Sequence, residues 1–191
     1  MTTAHEHTTP PTRVCVLGHS GAGKSTTAAF VRSAATRRRL SCEVVKVAAP
    51  LYDLQDAFYT RLGRRLPDGQ QDQQLLEAIA RLIRHRHPRF LVEDFLARAA
   101  ATPAQVLVND DVRSYDIDYP ELRRRGWTAV RISAPDELRG KRLAAQGYVS
   151  LSDASTAGVE TVEVDYEIRN DGTLTELESK VSALVNEVLP C

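Results

Sequence analysis

A three-layer α/β/α domain built on a five-stranded parallel sheet is the fold the sequence predicts, and three observations predict it. Short apolar runs recur along the chain, each followed by a segment of helical periodicity. The stretch between the second and third runs carries only helical patterns. A glycine-rich octapeptide, Gly18-His-Ser-Gly-Ala-Gly-Lys-Ser25, directly follows the first run, Val14-Cys-Val-Leu17. Apolar strands alternating with helices call for right-handed crossovers and a sheet covered on both faces. With 191 residues the chain suffices for one such domain, expected over 13–191, and the polar, Pro-terminated leader 1–12 reads as a disordered tail.

The elements follow in order. The first strand spans Arg13 to Leu17, and residues 23–39 form a helix whose Arg-rich last turn complements the macrodipole. Glu43 to Ala48 is the second strand, ended by Pro50. Leu51–Leu66, Gln70–Arg86 and Pro88–Ala101 read as three helices broken at Gly63, Pro67-Asp-Gly69 and His87-Pro88, so residues 51–101 form a helical insertion. Gln105–Asn109 is the third strand; Pro120–Arg125 is a short helix stopped by Gly126; Trp127–Ile132 is the fourth strand. Pro135–Gln146 is helical, and the small, polar residues 147–161 read as a mobile segment, which with the preceding turns makes 139–161 a lid region. Tyr166–Arg169 is the last strand, Asn170-Asp-Gly172 a turn, and Thr173–Val188 a closing helix with Thr173 or Thr175 as its cap.

The octapeptide fits G-x-x-x-x-G-K-S, with a strand before it and a helix after it. Glycines allow backbone angles closed to other residues, and successive N–H groups then face an anion together with the helix N-terminus. Gly18, Ser20, Gly21, Ala22, Gly23 and Thr26 thus form a phosphate cradle, Lys24 reaches the β- and γ-phosphates, and Ser25 ligates Mg²⁺. The expected ligand is a nucleotide, held by its phosphates.

In an open parallel sheet ligands bind beyond the carboxyl ends of the strands, which gathers further candidates around Lys24. Asp53, after strand two, either accepts a hydrogen bond from a substrate hydroxyl or is an ordinary Asp at a helix N-terminus. Tyr52 and Phe58 can stack on a base or pack in the core. In Asn109-Asp-Asp-Val-Arg113, Asp110 or Asp111 anchors Mg²⁺, with Asp111 the alternative polariser of the acceptor to Asp53, and Arg113 clamps a substrate phosphate. Arg84, Arg86 and Arg89 in the insertion, and Arg139, Lys141 and Arg142 in the lid region, supply cations that a charge-dispersed transition state requires. Asn170 and Gly172 follow the last strand, where a nucleotide base or a plain helix cap accounts for them equally.

Composition narrows the partners. Lys plus Arg number 25 and Asp plus Glu 25, so there is no net charge to drive nonspecific nucleic-acid binding. Only four of the basic residues are Lys and 21 are Arg, the side chain best suited to bidentate phosphate contacts. Three cysteines without C-x-x-C spacing read as reduced thiols, and no apolar stretch has the length of a membrane span, which together predict a cytoplasmic protein with a small-molecule substrate. No motif speaks to oligomeric state; a homodimer is compatible with the sequence.

The phosphate loop, Val108-Asn-Asp-Asp-Val-Arg113, Tyr119-Pro-Glu-Leu-Arg-Arg-Arg-Gly126 and Asp165-Tyr-Glu-Ile-Arg-Asn-Asp-Gly-Thr-Leu-Thr-Glu-Leu177 together resemble the phage-type deoxynucleoside monophosphate kinases, within the P-loop kinase group of P-loop NTPases. The resemblance spans residues 13 to about 188 and departs from the family's His-Pro-Ser-Glu-like segment at Gly147-Tyr-Val-Ser-Leu-Ser-Asp153. It implies ATP and Mg²⁺, a nucleoside 5′-monophosphate acceptor, a lid, and a place in nucleotide metabolism. It also implies that Lys24 and Ser25 hold the donor phosphates and metal, that Asp111 and Arg113 lie near the acceptor, and that Asn170 to Gly172 lie near the donor base. A kinase of another metabolite, such as a dephospho-coenzyme A kinase or a nucleoside kinase, would share the loop and lid. Strand, loop, helix and strand to Val47 also resemble the GTP-binding adapter of molybdenum-cofactor assembly, although the chain has no N-K-x-D guanine-reading element.

Overall fold

The computed structural model describes residues 10–67, 70–112, 114–145 and 158–190. Residues 1–9 of the expected leader, Asp68 and Gly69, Arg113, residues 146–157 of the lid region and Cys191 fall outside the described residues, and Thr12, expected to end the tail, instead begins the first strand, where it pairs with Val106. Strand β1 (Thr12–Leu17) leads through the phosphate loop into α1 (Lys24–Arg37) and then β2 (Cys42–Val44). Helices α2 (Ala49–Arg61), α3 (Gln73–Arg86) and α4 (Phe90–Ala101) form the insertion before β3 (Val106–Asn109). Next come α5 (Asp118–Arg124), β4 (Thr128–Ser133), α6 (Asp136–Ala145), β5 (Tyr166–Arg169) and α7 (Leu174–Val188).

The five strands lie in the order β2-β3-β1-β4-β5, and each pairing is parallel. β1 is central, with Val14 opposite Val108 on one side and Thr128 on the other. Its alternation assigns the layers, because successive side chains on a strand point to opposite faces. Val14 and Val16 join the core made with α1 and α7, through Val31, Ala35, Val181 and Val185. Cys15 and Leu17 join the core made with the insertion and α5, around Leu91, Phe95, Leu122 and Trp127. Two apolar interfaces, one per face, make the three layers. Among the described residues no helix is long and apolar enough to cross a membrane.

Three boundaries differ from expectation for identifiable reasons. β2 stops at Val44 rather than Ala48 because side chains of β3 then take over its backbone partners: Asn109 Nδ2 donates to Val45 O at 2.9 Å, and Asp111 accepts from Val47 N and Ala48 N. Pro50 lies in the first turn of α2 instead of ending β2; there its missing N–H costs nothing. α5 starts at Asp118, ahead of Pro120, for the same reason. Thr173, not Thr175, caps α7, in a reciprocal box with Glu176.

Candidate functional site

The strand order reverses direction at β1: the chain leaves it toward β2 on one side and later crosses to β4 on the other. A crevice opens at the carboxyl end of such a strand, and the phosphate loop fills it. Its backbone needs glycine. Gly18 has φ +149°, and a Cβ there would meet Ile132 O at 2.3 Å; Gly23 has φ +107°, and a Cβ would meet Asn170 Nδ2 at 2.4 Å. Lys24 heads α1 and folds back over the loop, donating to Gly18 O at 2.8 Å and His19 O at 3.0 Å. The ammonium is thereby held over the concavity its loop encloses.

Helix α6 and the β5–α7 turn brace this loop. Arg139 donates to Ser20 O at 2.9 Å, and Arg142 reaches Gly21 O at 3.4 Å and Asn170 O at 3.3 Å. Asn170, itself buried, donates from Nδ2 to Ala22 O at 2.8 Å and from its backbone N to Ser133 O at 2.7 Å. It staples the loop to the end of the sheet. Gly172 lies against Glu176, whose carboxylate closes the α7 cap.

The tip of β3 supplies two carboxylates with different surroundings. Asp111 accepts from Val47 N at 2.7 Å, Ala48 N at 3.1 Å and Asn109 Nδ2 at 2.8 Å. It thus pins the two residues that lead into α2, whose N-cap position, Ala48, has no side-chain cap. Asp110, next to it, forms an ion pair with Lys46. Polar residues at a strand tip suggested chemistry from sequence; for Asn109 and Asp111 the geometry displays a clamp between β3 and the β2–α2 junction.

One cleft of about 500 Å³ collects most of the expected residues. Ser20, Gly21, Gly23, Lys24, Ser25 and Thr26 of the loop and α1 line it, together with Arg142, Asn170 and Gly172 and the strand-tip pair Asp110 and Asp111. Gly18 and Ala22 shape the loop from beneath, and Arg139 faces a smaller recess behind it. Asp53 is exposed on α2 and is not on the cleft wall. The basic residues of the insertion are engaged elsewhere: Arg84 pairs with buried Asp118 at 2.8 Å, and Arg89 with Glu93 and Glu121, tying α3 and α4 to α5, while Arg86 is exposed. Arg113 falls outside the described residues.

The cleft is also lined by residues the sequence reading passed over. Lys46, Gln71 and Gln73 line it beside Tyr52. A signal existed for Lys46: it interrupts the apolar run Val44-Val-Lys-Val-Ala48 at the end of a strand. Gln71 and Gln73 carried none, since their position depends on how α3 docks. That docking is set by Gln55 and Tyr59 of α2, which bond Asp72 N and the Asp72 carboxylate at 2.8 Å each.

Comparison with solved structures supports the architecture. A sugar kinase from Janibacter sp. HTCC2649, without ligand, superposes with a TM-score of 0.55 at 21% identity over 95% of this chain and 97% of its own. Shikimate kinase from Bacteroides thetaiotaomicron gives 0.54 at 15% identity, covering 91% and 98%. The Mycobacterium tuberculosis APS kinase CysC, solved with AMPPNP and APS, gives 0.52 at 16% identity, covering 93% and 99%. At such identities the likeness is one of fold. A search of the curated proteins gives no match. The AAA domain profile matches residues 9–111, more than half of the chain, from just before β1 through the phosphate loop to Asp111, and the protein therefore belongs to the AAA domain family.

Proposed function

We propose that this protein transfers the γ-phosphoryl group of ATP to a small-molecule acceptor, and that the acceptor is a nucleoside 5′-monophosphate. The observation that carries the reading is that one cleft is lined both by the phosphate loop, suited to a polyphosphate, and by Tyr52, Gln71, Gln73 and Lys46. A volume near 500 Å³ is within the range of small-ligand sites. An aromatic face, two amides and an ammonium suit a planar base and an anionic tail. The named neighbours, kinases of sugar, shikimate and APS, support phosphoryl transfer on this fold, one of them having been solved with an ATP analogue.

Lys24 engages the donor phosphates, leaving its two carbonyl acceptors as they arrive, and Arg142, which lines the same cleft, neutralises charge. The Ser25 hydroxyl and Asp110 carboxylate share the cleft, and among the described residues no group of three or more His, Cys, Asp or Glu forms a protein cage. A pair of hard oxygens fits Mg²⁺, which binds through one or two protein groups and the substrate phosphates, and would there supply charge neutralisation. Catalysis then rests on positioning rather than on a covalent intermediate. Arg113, by its place in the D-V-R element, is assigned to the acceptor phosphate; Asp53, off the cleft wall, receives no part.

The test is a panel of nucleoside monophosphates, nucleosides, gluconate, shikimate and dephospho-coenzyme A with γ-labelled ATP, scored for labelled product. Label entering a monophosphate to give a diphosphate is the expected result. Label on gluconate, shikimate or a nucleoside hydroxyl alone would correct the acceptor, and transfer to none would refute the nucleoside-monophosphate reading and favour another metabolite or an adapter. Lys24→Ala should lose at least about a hundredfold in turnover while melting like the wild type; retained turnover would refute the role given to Lys24.

A further inference from the structure

Asp110 carries one negative charge and has two claims on it. Its side chain is 1% exposed, and that of its partner Lys46, which also lines the cleft, is 34% exposed. A carboxylate so buried is stabilised by a counter-charge, because an ion out of water and unpaired is costly. Lys46 provides it here. The backbone of Lys46 is held independently, Arg98 donating to its carbonyl oxygen at 2.7 Å, so the ammonium can leave on its flexible stem without moving the strand end. The same cleft is lined by Ser25, in the first turn of α1, and by Tyr52 and Gln73 of the insertion.

We propose that the Lys46 ammonium and a divalent cation compete for the Asp110 carboxylate, and that an acceptor bearing an anionic group decides the competition by taking Lys46 onto its own oxygens. The inference rests on the nucleotide reading given above and deepens it. In the ligand-free cleft Lys46 guards Asp110, and metal–nucleotide must displace it. An acceptor anion offers the displaced ammonium a new partner, so the cost of breaking the pair is met by two binding events instead of one. Linkage makes the effect reciprocal: metal–nucleotide raises affinity for the acceptor by the factor the acceptor raises affinity for metal–nucleotide. The acceptor class follows as well. A neutral hydroxyl compound cannot draw Lys46 away, whereas a phosphorylated or carboxylated one can.

Calorimetric titration of AMP-PNP at a series of Mg²⁺ concentrations tests this without turnover. Lys46→Met should bring the half-saturating Mg²⁺ down by on the order of tenfold, within the usual span of coupling between sites. Lys46→Arg should stay near the wild type, and Lys46→Met in an Asp110→Asn background should produce no further change. Equal Mg²⁺ dependence in Lys46→Met and wild type would overturn the inference. An arm that needs no variant uses inorganic phosphate as the probe: millimolar phosphate should lower the half-saturating Mg²⁺ of the wild type, and an unchanged or raised value would overturn it. AMP-PNP binding without the Lys46 effect sinks this inference alone; absence of AMP-PNP binding to the wild type takes the nucleotide reading down with it.

Discussion

Asp111→Ala removes a carboxylate on which three donors converge: Val47 N at 2.7 Å, Ala48 N at 3.1 Å and Asn109 Nδ2 at 2.8 Å. Hydrogen bonds to a charged acceptor are worth about 1.5–3 kcal/mol each, and stranding buried donors costs a comparable amount. The losses are not additive, and water entering from the adjoining cleft recovers part of them, which brings the expected destabilisation to about 3–5 kcal/mol. For a domain of this size each kcal/mol shifts the melting point by about 2–4 °C, so a drop of about 10 °C is expected. Asp111→Asn keeps one acceptor oxygen and should lose about half as much. Urea unfolding followed by far-UV circular dichroism, with an unchanged m-value, measures both. The result that refutes the reasoning is an alanine variant within about 1 kcal/mol of wild type that nevertheless fails to bind or turn over ligand. That pattern would assign the carboxylate to substrate rather than to the chain.

Gly23→Ala should abolish AMP-PNP binding, because a Cβ would stand 2.4 Å from Asn170 Nδ2 on a backbone at φ +107°; wild-type affinity by calorimetry would contradict the loop geometry. Glu121 is held below the ordinary carboxylate range by Arg125 first and by Arg124 and Arg89 after it. A folded pKa below the unfolded one means the stability it lends is present above the ordinary range near 4.3 and is lost as pH falls through the lowered value. Glu121→Gln should therefore flatten the acid limb of the melting temperature against pH, and an unchanged limb would refute the assignment. Burial pushes the Cys15 thiol up to about 12 and the Cys42 thiol up to about 11. Iodoacetamide at pH 8 should leave Cys15 unlabelled in peptide maps until the chain is unfolded, and labelling in the folded protein would contradict its burial.

Whatever depended on neighbouring residues could be read from the sequence. The phosphate loop is eight consecutive residues, so Lys24, Ser25 and the glycines were legible, as were five apolar strands and the helices between β2 and β3, each announced by its own period. The tertiary structure decided what those residues touch. Asp111 meets Val47 across 64 residues, and Asn170 meets Ala22 across 148; in both, a side chain that lines the cleft also completes the backbone's own hydrogen bonds. Arg84 and Arg89, candidates for phosphate by charge alone, found carboxylates of α5 instead, and Lys46, Gln71 and Gln73 came to line the cleft. The physical reason is that periodicity states which face of an element is apolar, while the sheet order β2-β3-β1-β4-β5 sets which tips meet, and that order is fixed by packing summed over the whole core rather than by any local run of side chains.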